Sequence, residues 1–338
     1  MNDARRRIRP ATINLVLLVL LAALAAIGAM SGDFPIPFPD LLKVMSGTAN
    51  DLTTTVVLEW RLPRIAAAIV VGSALGVAGG LFQTVTHNPL ASPDVIGLSN
   101  GAFVGMLVAL IAAGSSTESR TIGALAGGIV VALLIFVLAR GLGIGGFRFI
   151  VVGVAISSMA AAVGTWLLLQ VDVDTALFAS AWGAGTLAGV TIGGVATATV
   201  LVGILFAVIP LHARALHQLG LGDDIAVVTG VRITVTRITM LAVGVVLVCA
   251  ATTVAGPVAF VALAAPQISR RIAGTPHIPL LTTALFGAVM LSASDLIAQH
   301  ALPVTVPVGV VTVVLGGCYL VWFLVREARS NRRVGRAA

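Results

Sequence analysis

Residues Arg61–Asp94 read RLPRIAAAIVVGSALGVAGGLFQTVTHNPLASPD. Arginines flank a proline at one end, an apolar run follows, and Asn88-Pro89-Leu90-Ala91-Ser92-Pro93-Asp94 closes the stretch. A run of this length matches one helical crossing of a bilayer, roughly 20 residues. Its two ends therefore face different aqueous compartments, and each can meet a different soluble partner.

Composition extends this reading to the whole chain. With 338 residues, 58% hydrophobic, only 10% charged and a mean hydropathy of +1.09, the chain has too little polar surface to cover a water-soluble globule. The net charge of +7 does not point to nucleic acid, because the basic residues form short clusters between apolar runs rather than one face. Cys249 and Cys318 both sit inside apolar runs and read as packing residues, neither a disulfide nor a metal pair.

Successive crossings are expected at 13–31, 63–83, 95–114, 120–140, 148–170, 188–210, 236–255, 257–272, 278–298 and 305–326. The first follows a basic leader but lacks a small-residue cleavage pattern, so it reads as a span. The eighth is short and contains Pro266. Ten crossings place Arg5, Arg6, Arg7, Arg9, Arg140, Arg148, Arg214, Arg232, Arg237, Arg270, Arg271, Arg326, Arg329, Arg332, Arg333 and Arg336 on one face. Lys43, Arg61, Arg64 and Arg120 fall on the other, together with Asp33, Asp40, Asp51, Glu59, Glu118, Asp172, Asp174 and Asp295. Positive charge collects on the cytoplasmic side, so both termini are expected there. The expected architecture is an all-α polytopic membrane protein, one permease domain over 1–338. It has a basic leader at 1–12, a cytoplasmic segment at 211–237 and a basic tail at 327–338.

The spans hold almost no ionisable chemistry, which argues against ion coupling. They do hold Gly72, Gly76, Gly79 and Gly80, and Gly123, Gly127 and Gly128, at spacings that let helices approach closely. A phosphate-cradling loop needs a lysine after its glycines, and the only lysine is Lys43 in an external loop. Nucleotide hydrolysis, if used, belongs to a partner.

Within 211–237, Leu219-Gly220-Leu221-Gly222-Asp223-Asp224-Ile225-Ala226-Val227-Val228-Thr229-Gly230 predicts a short helix between glycines. Acids suit its start and Gly230 its end. Ile225, Val227 and Val228 would stand exposed unless covered, which suits helix-in-groove docking better than a bilayer surface, since no basic face accompanies them. Ser92, Pro93 and Asp94 read as N-cap, first residue and dipole-compatible acid of the third helix. Gly97-Leu98-Ser99-Asn100-Gly101 matches G-x-S-x-G, but no strand precedes it and no His-Asp pair accompanies it, so no catalytic residue is assigned.

These motifs, with the run from Gly256-Pro257 through Phe260 and Pro266 to Arg270 and with Pro307-Val308-Gly309-Val310-Val311-Thr312, resemble the FecCD permease family across essentially the whole chain. Glu59-Trp60, Thr165-Trp166-Leu167-Leu168-Leu169 and Gly316-Gly317-Cys318-Tyr319-Leu320 look most like the ferric-enterobactin type within it. The resemblance implies a type II ABC importer fold of the vitamin B12 permease kind in the cytoplasmic (inner) membrane. It further implies an ATPase subunit dimer that holds ATP and Mg, a second and non-identical permease subunit, and an extracytoplasmic siderophore-binding protein. Neither cofactor nor metal is expected on this chain. The cargo implied is a ferric siderophore; haem or vitamin B12 within the family, or an ATP-independent carrier outside it, are the alternatives.

By the same resemblance, Arg61 and Arg64 would dock the binding protein, and Asn88 and Leu90 would form the cytoplasmic gate. Leu221, Gly222, Asp223, Asp224, Ile225, Ala226, Val228 and Gly230 would couple to the ATPase. Ser157, Ser158 and Thr165 would line the pore. Two departures stand out: Gln299 occupies the place of a third docking arginine, and Gln267 follows Pro266 where the family commonly has histidine.

Overall fold

In lipid a backbone must satisfy its own amides, so apolar runs of this length fold as helices. A computed structural model describes residues 10–94, 97–114, 116–139 and 147–334. Arg5, Arg6, Arg7, Arg9, Val95, Arg140 and Arg336, and the ends of the leader and tail, lie outside the described residues.

All regular structure among the described residues is helical. After α1 (Pro10–Met30), short helices α2 (Phe38–Met45) and α3 (Asp51–Thr55) pass through a π turn, Val56–Arg61, into α4 (Leu62–Thr86). Then come α5 (Leu98–Ala113), α6 (Thr117–Ala139), α7 (Phe147–Leu168), α8 (Val173–Gly183) and α9 (Ile192–Val208). A 3₁₀ turn, Ile209–His212, leads to α10 (Ala213–Gly220) and α11 (Asp223–Val228). The remainder is α12 (Ile233–Ala255), α13 (Val261–Ala273), α14 (Leu280–His300) and α15 (Val308–Val334). Among the described residues seven helices are long and apolar enough to cross a membrane, with Leu98–Ala113 and Val308–Trp322 as shorter apolar helices. α13, at 13 residues, rises only about 20 Å, which explains the weak eighth run.

α4 is the centre: 72% of its apolar window is buried, against 11% for α7. Phe82, Leu75, Leu81, Met240 and Leu247 pack where α4 meets α12, and α13 and α14 close the other sides. Glycine permits this. A Cβ on Gly72 would collide with the Gly287 carbonyl of α14, and one on Gly79 with the Ala262 carbonyl of α13. Pro266 has no N–H to give that Ala262 carbonyl, so the carbonyl lacks its usual helical donor where Gly79 approaches it. On the opposite side, Gly101, Gly105, Gly123 and Gly127 join α5 to α6 in the same way.

The irregular segment Gly256–Phe260 begins α13 beside Gly79, well inside α4, rather than at the end of a full crossing. Non-helical backbone at such depth needs internal partners. Thr186 N donates to Ala255 O (2.7 Å) and Gly309 N to Gly185 O (3.0 Å), so the connection after α8 holds the end of α12 and the start of α15. α8 enters this region from Asp172, whose carboxylate caps the Thr175 amide (3.0 Å), a hydrogen bond that holds it below the ordinary carboxylate pKa.

Candidate functional site

The N-terminal end of α4 carries both sequence-selected arginines, and both have partners within the chain. Arg61 donates through Nη1 to Ala29 O (2.6 Å) and through Nη2 to Phe34 O. Ala29 lies in the last turn of α1, whose carbonyls lack helical partners and favour a cation. Arg64 grips Asp295 of α14, with Nε 3.0 Å from Oδ2 and Nη2 2.9 Å from Oδ1. Gln299 Nε2 adds a bond to Asp295 Oδ2 at 2.8 Å. Asp33, Trp60, Arg61, Arg64, Asp295 and Gln299 line a cavity of ≈ 350 Å³. Gln299 thus supplies an amide donor to the carboxylate beneath Arg64.

At its C-terminal end, α4 stops at His87, whose backbone is left-handed (φ 51°). Asn88 then makes an Asx turn, its Oδ1 accepting from the Leu90 amide (2.9 Å), and leaves Leu90 exposed. The expected cap at Ser92 is not used: Ser92 Oγ donates to Asp94 Oδ2 (3.2 Å), and α5 starts later, with Gly97 at its N-cap (φ 91°). Packing decides this. A Cβ on Gly97 would lie 2.6 Å from Ser157 Cβ, so the chain can pass α7 only at a glycine, and the helix begins beyond it. The G-x-S-x-G stretch is the first turn of α5, with Gly101 pressed against Val131 and Gly127 of α6.

The stretch 219–230 holds the end of α10 and all of α11. Gly222 (φ 118°) breaks α10 from α11, and Gly230 (φ 81°) ends it. Ala226 is wholly buried, whereas Val228 is 88% exposed and Leu221, Ile225 and Val227 are exposed with it. Asp223 pairs with Arg237 of α12 (2.7 Å), fastening the start of α11 to the first turns of a core helix. Asp224 is exposed beside it.

The three polar residues of α7 separate. Ser157 Oγ accepts from Asn100 Nδ2 (2.9 Å) against α5. Ser158 and Thr165 lie on the exposed side and satisfy their hydroxyls on Val154 O and Ala161 O, each 3.0 Å away. Ser157 therefore positions α5, and only Ser158 and Thr165 share an open face.

Sequence reasoning missed Asp295, which it placed merely outside, and a buried amide pair. Gln267 Nε2 donates to Gln83 Oε1, while Gln83 Nε2 donates to Leu263 O (3.1 Å). The signal was present, since two glutamines in apolar runs, each both donor and acceptor, can satisfy one another. Among the described residues no three His, Cys, Asp or Glu side chains form a metal-binding group.

Close-packed apolar helices around a glycine-bearing centre, with a short apolar helix exposed at one end, define an integral membrane protein. The FecCD transport family matches residues 17–326, and the chain belongs to it. It is 42% identical over 305 residues, 90% of this chain and 92% of the relative, to the ferric enterobactin transport system permease protein FepG of Escherichia coli (strain K12). It is 33% identical over 332 residues, 96% of this chain and 97% of the relative, to FepD of the same organism, also a ferric enterobactin permease protein. A solved metal-chelate type ABC transporter in an inward-facing conformation shares the fold, with a TM-score of 0.82 at 22% identity, covering 94% of this chain and 99% of that one.

Proposed function

We propose that this chain is the membrane permease subunit of an ATP-driven, binding-protein-dependent importer that carries a ferric siderophore across the cytoplasmic membrane by alternating access. Family membership and the names of its relatives support the cargo class. The observation that carries the mechanism is α11, a helix with exposed apolar side chains that is buried at Ala226 and pinned to α12 by Asp223–Arg237. Such a helix suits a groove on a separate ATPase.

In this reading the chain crosses the inner membrane ten times with both termini cytoplasmic. An ATPase dimer holding ATP and Mg seats Leu221 to Gly230, and a second, non-identical permease subunit faces Ser158 and Thr165. A loaded siderophore-binding protein docks at the outer cavity, where Arg61 and Arg64 line the rim while keeping their internal partners. Closure of the ATPase moves α10 and α11, and the motion reaches Asn88 and Leu90 at the gate.

The test is reconstitution in vesicles. Uptake of radiolabelled ferric siderophore should require the ATPase, ATP and the loaded binding protein. Uptake by vesicles holding only this chain would refute the ATP-driven reading. Preferential competition by haem or vitamin B12 would refute the cargo assignment.

A further inference from the structure

His87 stands at an unusual joint. It is one of two described non-glycine residues with positive φ, the other being Phe260. A helix C-terminus commonly passes through that conformation on glycine, and a side chain held there costs on the order of 1 kcal/mol or more. The ring gives a reason for its presence. Its Nε2 lies 2.6 Å from the carbonyl oxygen of Leu219 in the last turn of α10. A carbonyl can only accept, so that nitrogen carries the proton and donates.

The positions of the two partners matter more than the bond itself. Leu219 is fully buried and immediately precedes Gly220-Leu221-Gly222, where α10 breaks into α11. His87 immediately precedes Asn88, where the Asx turn begins. α10 is held from a second side as well: the His217 ring meets the His277 ring edge-on at 5.1 Å, and His277 lies between α13 and α14. These three histidines border one cavity of ≈ 490 Å³ with Gln83, Gln267 and Arg270. Space on one side and a single directed bond on the other is the arrangement of a lever and its link.

We infer that His87 is a positioning residue that links the Leu219 carbonyl to the Asn88 turn, so that α10 and the gate move as one body. This rests on reading 219–230 as the ATPase-coupling segment and Asn88–Leu90 as the gate.

The test uses the complete importer in vesicles. His87→Gly keeps the left-handed backbone and removes the ring; His87→Gln restores an amide donor near the Nε2 position. ATP hydrolysis and cargo uptake are measured together. His87→Gly should retain its ATPase and hydrolyse ATP, but the ATP consumed per cargo delivered should rise about fivefold, equivalent to ~1 kcal/mol of lost coupling. His87→Gln should recover part of it. An unchanged ratio in His87→Gly overturns the link. So does loss of the ATPase from that variant, because a link that only transmits motion leaves docking at α11 intact. Failure of the underlying reading is seen separately: Ala226→Pro, which leaves His87 untouched, would then retain the ATPase.

Discussion

Cutting the Arg64–Asp295 pair from either side should give two different costs. Asp295 accepts bonds from Arg64 Nε and Nη2 and from Gln299 Nε2, joining the first turns of α4 to the last turns of α14. The side chains are 25% exposed for Arg64 and 7% for Asp295. Stranding a sealed charge costs roughly 3–5 kcal/mol. Asp295→Ala leaves a guanidinium that water already reaches, so about 2 kcal/mol is expected. Arg64→Ala strands a nearly covered carboxylate with only Gln299 beside it, so about 4 kcal/mol is expected. Replacing both by leucine should fall within about 1 kcal/mol of the native chain, because no charge is left buried. Graded SDS unfolding in mixed micelles, followed by far-UV circular dichroism, measures all three variants. Costs within about 0.5 kcal/mol of native for both single variants, or a larger cost for Asp295→Ala than for Arg64→Ala, would refute the burial argument.

Reversing Arg64 to glutamate would set two carboxylates against each other, so docking is better tested at Arg61. Arg61→Ala should raise the loaded binding protein needed for half-maximal uptake about fivefold, the ~1 kcal/mol of a rim charge, and an unchanged value would remove Arg61 from the docking surface. Ala226→Pro deletes the bond from Ala226 N to Gly222 O (3.1 Å) and costs the six-residue α11 about 3 kcal/mol; the chain should stay in the membrane but lose its ATPase on purification from detergent. Gly79→Val should lower stability by ~3 kcal/mol by driving α13 off α4, whereas Gly193→Ala, with nothing within 4 Å, should leave the unfolding midpoint unchanged. Gln83→Leu and Gln267→Leu should each cost about 1–3 kcal/mol by orphaning the other amide, and the double variant should recover much of that loss.

Local signals in the sequence placed the helices well. Apolar length found the long spans, the glycine spacings marked α4 and α6 as helices that neighbours approach closely, and the glycines at Gly222 and Gly230 bounded α11. What failed depended on distance along the chain. Arg64 and Asp295 are 231 residues apart, and Gln83 and Gln267 are 184 apart. None of these residues could be paired from sequence, because its partner is set by helix packing. The Ser92 cap failed for a related reason: its local preference lost to the close passage of Gly97 by Ser157. The depth at which α13 begins was equally hidden, since composition reports how apolar a run is and not how far into the bundle it starts.

The connection after α8, which trades amides with Ala255 and Gly309, bears on how this chain tolerates change. In most proteins the joints between helices accept insertions and the helices do not. Here a residue added at 185 or 256 would displace a buried amide contact, while the exposed sides of α1 and α6 could take many apolar side chains. The slack in this molecule lies along the sides of its outer helices, and its buried connections are held as closely as its core.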